Sequence, residues 1–448
     1  METASKRVLN GWAMYDWANS AYNLVITSTI FPAYYVAITA ATETGAPSYV
    51  SFFGRKFINT ALQDYALAVV FLVVAISSPI LSSIADYRRN KKAWMQAFCY
   101  LGSGACIALF WFTRDRLEFG ILAFAVAALG FWSSLVFYNS YLPDIAAPED
   151  QDRLSAKGFA LGYIGSVLLQ VICFIIILKP GWFGLGTADK SIGPRLSFLL
   201  TGLWWLGFAQ LTFRVLPISA RAERKARKHI LVNGFHELRL VWDQLRHMPS
   251  LKRFLLSFFL YSMGVQTVML VAAGYAKKEI FSRPEDEPKL LITIILIQLV
   301  AIPGSIGMSR LSQRIGNWWV ITLAVLTWIG VCIAAYQVHT QTGFYILAAV
   351  VGLIMGGIQS MSRSTYSKLL PQTQDTTSFF SFYDVTEKIA LVIGIFLFGF
   401  VEERSGSMRN SIFALGSFFI LALLALLYAR PALQQRLREI SQAHPSAS

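Results

Sequence analysis

The chain has few charged residues and few histidines, and each shortage argues against certain classes of function. Charged residues make up 14% of the 448 residues, where a soluble domain carries about a quarter. The five histidines fall in predicted loops or in the tail, and no HExxH, nucleophile-elbow or phosphate-binding glycine motif occurs. These absences argue against an enzyme, against a bound cofactor or metal and against a pump driven by ATP.

Cysteine is also scarce. Cys99, Cys106, Cys173 and Cys332 are the only four, and all lie in apolar stretches. No pair is placed to form a disulfide outside a membrane, and no CxxC indicates a metal site, so we expect four small core residues. The first residues lack the cleavage pattern of a secretory signal, and we expect nothing to be removed.

What the chain has is twelve apolar stretches, each close to the roughly 20 residues that a helix needs to cross a bilayer. Backbone groups in lipid must be satisfied within the segment, so such stretches are helices. The predicted spans are Met14–Ile38, Leu62–Ile84, Ala93–Phe112, Phe119–Leu142, Lys157–Leu178, Leu196–Leu216, Lys252–Gly274, Lys289–Ser309, Asn317–Gln337, Phe344–Thr365, Phe380–Val401 and Ile412–Tyr428.

The basic residues behind the net charge of +14 are distributed unequally between the two sides of the membrane. With the N-terminus inside, 25 of the 39 Lys and Arg lie on the cytoplasmic side and 13 outside, and Lys388 lies within a span. This asymmetry follows the positive-inside rule. It predicts a multi-pass protein of the inner cell membrane with both termini cytoplasmic, a monomer that contacts lipid and binds no nucleic acid.

A long basic loop divides the spans six and six. The predicted organisation is an N-terminal six-helix bundle (1–216), a central cytoplasmic loop (217–251) and a C-terminal six-helix bundle with a short tail (252–448). Two readings of the central loop stay open: a solvated linker helix, or a regulatory helix on the membrane surface. Apolar residues recur there at helical spacing, at Leu231, Phe235, Leu238, Trp242 and Leu245.

The halves echo each other. Leu142-Pro143 ends span four and Leu370-Pro371 ends span ten, while Pro79 and Pro303 sit late in spans two and eight. Such internal symmetry is typical of transporters that rock one half against the other. The predicted fold class is therefore all-α integral membrane, with twelve transmembrane helices in two pseudo-symmetric bundles.

The loop Ser82-Ser83-Ile84-Ala85-Asp86-Tyr87-Arg88-Arg89-Asn90-Lys91-Lys92 resembles the Gly-x-Leu-Ala-Asp-Arg-x-Gly-Arg-Lys signature of the major facilitator superfamily. Ser82 and Arg89 stand where that signature has glycine, and Gln313 stands where the loop after span eight would carry an acid. The resemblance implies that Asp86, with its neighbour Arg88, closes the cytoplasmic side by meeting the end of helix eleven.

Three segments resemble the vacuole-effluxer-like branch, whose fungal members export amino acids from the vacuole. They are Gly11-Trp12-Ala13-Met14-Tyr15-Asp16-Trp17-Ala18-Asn19-Ser20-Ala21-Tyr22, the run from Tyr141-Leu142-Pro143-Asp144 to Gly165, and the run from Gly356-Gly357-Ile358-Gln359 to Val385. Glu387 departs from the branch, which usually has a small residue there. The resemblance implies the major facilitator fold and a central cavity that spans one and seven line.

Polar residues inside spans are costly and mark functional candidates. In span one Asp16, Asn19, Asn23 and Thr27 follow helical spacing, with Tyr22 beside them, so they form one polar stripe. The alternative for Asp16 is a helix cap or an ion pair that never meets substrate. Further candidates for substrate binding are Asn139, Gln170, Tyr261, Gln266, Gln298 and Gln359, each of which alternatively bonds a neighbouring helix.

Arg363 in span ten is a natural partner for a substrate carboxylate. The alternatives are an ion pair with Asp384 or Glu387 that locks the cytoplasmic gate, or a cation that only extends to the cytoplasmic surface under the positive-inside rule. Asp384 and Lys388 lie one helical turn apart, so an intrahelical pair that belongs to the gate is predicted. Glu387 is then the group freest to titrate, and Glu387 or Asp16 is the predicted proton carrier.

Two functions remain from the sequence. The first is a secondary transporter that works by alternating access and exports amino acids or a similar small zwitterionic metabolite, coupled to protons. The second is a flippase for lipids or amphiphiles on the same scaffold, which the 33 Phe and 12 Trp favour. A flippase predicts an apolar side opening between helices.

Overall fold

The computed structural model describes residues 2–40, 48–185, 189–218, 239–281, 283 and 286–443. Within these residues, twelve long helices account for nearly all regular structure. They are α1 (Lys6–Thr39), α2 (Asn59–Arg88), α3 (Lys91–Trp111), α4 (Leu117–Asn139), α5 (Pro148–Leu178), α6 (Ile192–Val215), α7 (Pro249–Glu279), α8 (Glu287–Ile315), α9 (Asn317–Gln337), α10 (Gln341–Leu369), α11 (Thr376–Ser405) and α12 (Ile412–Ala443).

Eleven of these helices are long and apolar enough to cross a membrane. The remaining one, α11, carries Asp384, Glu387 and Lys388 near its middle, which lowers its hydropathy. It nevertheless packs lengthwise against α2 and α7 within the bundle. The structure thus confirms the twelve-span architecture, in which α11 is a span that contains three charged side chains.

The outer surface is apolar, as a membrane requires. On α2, Val69, Leu72, Val73 and Ile76 are all exposed and recur at three- and four-residue steps. This spacing places them on one face of the helix. An exposed aliphatic stripe is unfavourable in water but matches the hydrocarbon of a bilayer.

Helix packing repeats between the halves. In the first half α1 packs on α5 and α6, and α3 packs on α4 and α6; in the second, α7 packs on α11 and α12, and α9 packs on α10 and α12. The pair α2–α4 likewise matches α8–α10. Each half has its own apolar core, and the halves meet through α2–α11, α5–α8 and α5–α10. Two pseudo-symmetric six-helix bundles are confirmed; the exact boundaries at 216 and 251 stay predictions.

A short hairpin between α1 and α2 departs from the expected all-helical chain. Strands β1 (Tyr49–Phe52) and β2 (Arg55–Ile58) pair antiparallel, with Tyr49 opposite Ile58. The connecting residues Phe53 and Gly54 both have positive φ, 46° and 78°, as a type I′ turn requires. The hairpin is too short to give a clear periodic signal in the sequence.

The predicted amphipathic helix of the central loop lies largely outside the described residues, which omit Leu231, Phe235 and Leu238. Residues 239–246 are helical. Val241 and Leu245 are buried in the core of the second half, and the Trp242 ring lies 5.7 Å from that of Phe382 on α11. This part of the loop therefore packs on the second bundle.

Candidate functional site

A cavity of about 150 Å³ lies between the two bundles. A closed apolar cavity of this volume accommodates a molecule the size of benzene, so the space suits a small metabolite. Residues from α1, α4 and α5 line one side and residues from α7, α8, α10 and α11 line the other. The predicted site residues that line it are Asp16, Asn19, Asn23, Asn139, Tyr261, Gln266, Gln298, Gln359, Arg363 and Glu387.

The predicted stripe of α1 reaches the cavity only in part. From Tyr22 to Ile30 the helix has π geometry, with bonds to the residue five positions earlier instead of four. The extra residue per turn rotates later side chains away from the face that Asp16 and Asn19 share. Thr27 is buried outside the cavity.

Tyr22 also lies outside the cavity, which corrects its predicted place among the substrate contacts. Its ring packs 4.9 Å from that of Phe131 and 5.8 Å from that of Trp205, within the first bundle. Gln170 is likewise away from the cavity, where it accepts a hydrogen bond from the Thr29 hydroxyl at 2.8 Å. These two side chains hold helices together.

Arg363 is fully engaged within the protein. Its Nε donates to the Ser155 hydroxyl at 2.9 Å, and its Nη2 donates to the Ser155 carbonyl at 2.9 Å. Both terminal nitrogens donate to Asp16 Oδ2 at 3.2 Å, and Nη1 also donates to Asn139 Oδ1 at 3.2 Å. These bonds use all five N–H groups of a guanidinium.

The Arg363 predictions are corrected accordingly. No N–H group is left for a substrate carboxylate in this conformation, and the ion pair is with Asp16, not with Asp384 or Glu387. The reason is tertiary: α10 packs on α5 beside α1, which brings Arg363 to Asp16, whereas Asp384 and Glu387 pair with Lys388 of their own helix. Asp16 takes up the alternative role considered for it, as the partner of a base.

Glycine makes this ion pair possible. Asp16 Oδ2 also accepts a bond from the Tyr138 hydroxyl at 2.8 Å. A Cβ atom at Gly158 of α5 would lie 2.3 Å from Asp16 Oδ2 and 3.0 Å from Nη2 of Arg363. Any side chain at Gly158 would therefore force the Asp16–Arg363 pair apart.

Three charged side chains of α11 form a second group, of which Glu387 lines the cavity. Lys388 is 2% exposed and lies 3.1 Å from Asp384 Oδ1 and 3.1 Å from Glu387 Oε2. Its ammonium group sits 3.8 Å from the Trp132 ring centroid on α4. Glu387 Oε1 accepts a bond from Gln266 Nε2 at 2.7 Å. The Asp384–Lys388 pair is present as predicted, and its link to the other bundle is Trp132; its gating role stays a prediction.

Two polar contacts join the bundles on the side where α1 begins and α12 ends, here termed the terminal face. In the first, Asp86 accepts bonds from the Thr377 N–H at 3.3 Å, the Ser378 N–H at 2.6 Å and the Ser378 hydroxyl at 2.8 Å. This Asp86 contact places a carboxylate on the first turn of α11, where the helix dipole favours negative charge.

Arg88, which was predicted to share this gate, is exposed at the end of α2 and takes no part in the Asp86 contact. The cation beside the contact is Lys91, which sequence reasoning missed. It donates to the Ser140 carbonyl and to the Thr376 hydroxyl, both at 3.3 Å, and pairs with Asp144. Lys91 follows Asp86 by five residues in the same loop, and this proximity was the available signal.

The second contact was also missed. Asp152 on α5 accepts bonds from Lys368 at 2.6 Å, from Asn317 at 2.8 Å and from the Ser312 hydroxyl at 2.9 Å. This Asp152 contact involves the turn after α8. The turn after α8 has Gln313 where an acid is expected, and this absence was the available signal. The carboxylate is supplied instead by Asp152 of α5, from the other bundle.

Comparison with known proteins identifies the family to which the chain belongs. Residues 4–432 match the model of the family described as vacuole effluxer Atg22 like. An MFS-type transporter of Bacillus subtilis, YxiO, is 31% identical over 419 residues, covering 94% of each chain. Autophagy-related protein 22 of Coccidioides immitis is 24% identical and covers 94% of this chain and 85% of its own length.

Solved structures show the same fold. The fucose:proton symporter FucP of E. coli superposes with a TM-score of 0.67 at 14% identity, covering 94% of this chain and 97% of its own. The human organic anion transporter MFSD10 superposes with a TM-score of 0.69 at 11% identity, covering 94% and 99%. The chain therefore belongs to the Atg22-like vacuole effluxer family, and it is a membrane transporter of the major facilitator superfamily, not an enzyme.

Proposed function

We propose that this transporter exports amino acids or similar small zwitterionic metabolites and couples that export to protons. The observation that carries the proposal is the cavity: amide, hydroxyl and carboxylate groups from both bundles converge on one small space between them. Polar groups buried in a membrane span are costly without a partner, and a polar metabolite provides one. Asn19, Asn23, Tyr261, Gln266 and Gln359 are the proposed contacts.

Alternating access is the proposed mechanism. The Asp86 contact, the Asp152 contact and the Asp16–Arg363 pair each join the two bundles, and all must break for the terminal face to open. By the positive-inside rule this face is cytoplasmic, in the inner cell membrane. The protein would then release substrate on the opposite side while these contacts are formed.

Glu387 is the better candidate for the proton carrier. Asp16 is held by Arg363 and Tyr138, so its proton exchange would require the bundles to separate. Glu387 lines the cavity and its side chain is 20% exposed. A carboxylate that faces the substrate space can exchange a proton whenever that space is open to water.

The cavity favours a metabolite over a lipid. Polar groups such as Asn23, Gln298 and Gln359 contribute to its walls. A flippase requires an apolar path, so the second function considered from the sequence receives no support from this lining.

The test is transport in proteoliposomes loaded with radiolabelled amino acids. We expect loss of label that accelerates when a proton gradient is imposed, and we expect Glu387→Gln to remove that acceleration at saturating substrate. Glu403→Gln, at an exposed position later on the same helix, is the matched control. Movement that ignores the gradient in the unmodified protein would contradict proton coupling, and no movement would contradict the proposed function.

A further inference from the structure

The charged groups around the cavity do not cancel. Asp16, Asp384 and Glu387 supply three carboxylates, whereas Arg363 and Lys388 are the two cations among the described residues that contact them. Arg363 has no N–H group left, and the ammonium of Lys388 is shared between two carboxylates and the face of Trp132. With every group ionised, this set has a formal charge of −1, and in this conformation neither cation is available to a ligand.

The excess negative charge is accessible at Glu387. Its side chain is 20% exposed, against 8% for Asp384 and 7% for Asp16, and it lines the cavity. One oxygen accepts from Gln266 and the other from Lys388. Each carboxylate oxygen has a second lone pair, so Glu387 can accept further hydrogen bonds from a cationic donor in the cavity.

Aromatic rings surround the same space. Trp132, Phe258, Tyr261 and Tyr383 all line the cavity, and Tyr383 lies one helical turn before Glu387 on α11. Ring faces attract cations by their quadrupole, more strongly where water is excluded. Trp132 already binds the ammonium of Lys388 in this way. The ring faces in the walls thus suit an ammonium group.

An independent observation comes from the opposite wall. Asn19 of α1 lines the cavity and is 1% exposed, and its Nδ2 has no hydrogen-bond partner among the described residues. A buried donor without a partner is costly, so a ligand acceptor is expected there. The amide N–H of Asn19 can donate to a carbonyl oxygen as well as to a carboxylate oxygen, so this position does not require an ionised group on the ligand.

We infer that the substrate is held by a cationic amino group at Glu387, with an uncharged or anionic oxygen at Asn19, so that a free amine is required and a free carboxylate is not. The inference rests on the proposed function and names the determinant within it. Amines, amino-acid amides and amino acids form the expected substrate class, and N-blocked acids are excluded from it.

The test is a series of probes with one side chain and different charges: leucinamide (cation), leucine (zwitterion) and N-acetylleucine (anion), with the phenylalanine series in parallel. Binding to the purified full chain is measured by ligand-induced thermal stabilisation, since a ligand that binds the folded state raises its melting temperature. We expect leucinamide to bind at least as tightly as leucine. N-acetylleucine should bind about tenfold more weakly or not at all, as expected for a lost charged hydrogen bond.

Variants locate the determinant. Glu387→Gln should weaken leucinamide binding by about tenfold, whereas Glu403→Gln should leave it unchanged. If Glu387→Gln lowers the melting temperature without ligand, the charge series on the unmodified protein still decides the question. Equal binding of N-acetylleucine and leucinamide, no binding of any amine in either series, or unchanged binding to Glu387→Gln would each overturn the inference.

The outcome is separable from that of the transport experiment. Amine-selective binding without gradient-dependent movement would sustain the inference and contradict proton-coupled export. Gradient-dependent movement of N-acetylleucine would do the reverse, because the carrier would function while its substrate requirement differed from the one inferred here.

Discussion

The Asp86 contact, between α2 and α11, and the Asp152 contact, between α8 and α5, are counterparts under the pseudo-symmetry of the halves, yet both carboxylates belong to the first bundle. In the first, the acid belongs to the end of α2 and the donors, including Ser378, to the start of α11. In the second, the acid is on α5 and the Ser312 hydroxyl at the end of α8 is the donor. The same pairing of serine and aspartate occurs with its partners exchanged.

The exchange changes how each carboxylate is stabilised. Asp86 lies against backbone N–H groups at a helix start, which carry a partial positive charge. Asp152 lies against the full charge of Lys368, and both side chains are buried, at 3% and 11% exposure. One contact depends on a helix dipole and the other on an ion pair. They should therefore differ in how strongly they resist the loss of the acid.

The largest effect is expected from Asp152→Asn. The change leaves Lys368 buried without its counter-charge, and breaking a buried pair in this way costs about 3–5 kcal/mol. Thermal unfolding of the purified protein measures the loss. Glu149→Gln, at an exposed position on the same turn of α5, is the control. A further change of Lys368→Met should restore much of the stability; if it lowers stability again, the pair is not the cause.

A smaller effect is expected from Asp86→Asn. The amide retains one acceptor oxygen but places an NH₂ group near the N–H groups of α11, at a cost of about 1–3 kcal/mol. The terminal face should open more often, which labelling of Ser140→Cys reports, because the Ser140 hydroxyl lies 3.3 Å from that of Thr377 between the bundles.

The control for this experiment is Asp115→Asn, at an exposed position before α4. The native cysteines are buried and give little background. Labelling of Ser140→Cys that is equal in the two variants would show that Asp86 does not hold the face closed.

The smallest effect is expected at the turns that follow α2 and α8. Arg89, after α2, has φ 55°, and this left-handed conformation costs a side chain about 1 kcal/mol. The turn after α8 has Gly316 at φ 87°. Arg89→Gly should therefore raise the melting temperature slightly, while Gly316→Ala should lower it. A lower melting temperature for Arg89→Gly would mean that the Arg89 side chain makes a stabilising contact.

The sequence predicts what depends on local pattern. The spans, the polar stripe from Asp16 to Asn23 and the Asp384–Lys388 pair all follow from helical spacing. The meeting of Asp86 with the start of α11 follows from the motif resemblance. Each of these depends on residues within a few turns or on a short signature motif. The structure places them as these patterns predict.

What the sequence does not predict depends on packing between bundles. Arg363 and Asp16 lie 347 positions apart, and no periodicity links them. Asp152 meets Ser312 of α8 and Lys368 of α10 only through the packing of the two bundles, and no local pattern marks it. The π geometry that turns Thr27 away from the cavity has no signal in an apolar helix, since the side chains alone do not fix which carbonyl each N–H will reach.

We propose that the Asp86 contact and the Asp152 contact together hold the terminal face closed. Pulsed spin-label distances test it most directly, with one pair at Arg88 and Gln313 on the terminal face and another at Arg116 and Arg404 on the opposite face, all exposed positions. In the protein with Asp86→Asn and Asp152→Asn together, we expect a longer distance across the terminal face and a shorter one across the opposite face. Distances that match the unmodified protein on both faces would contradict it.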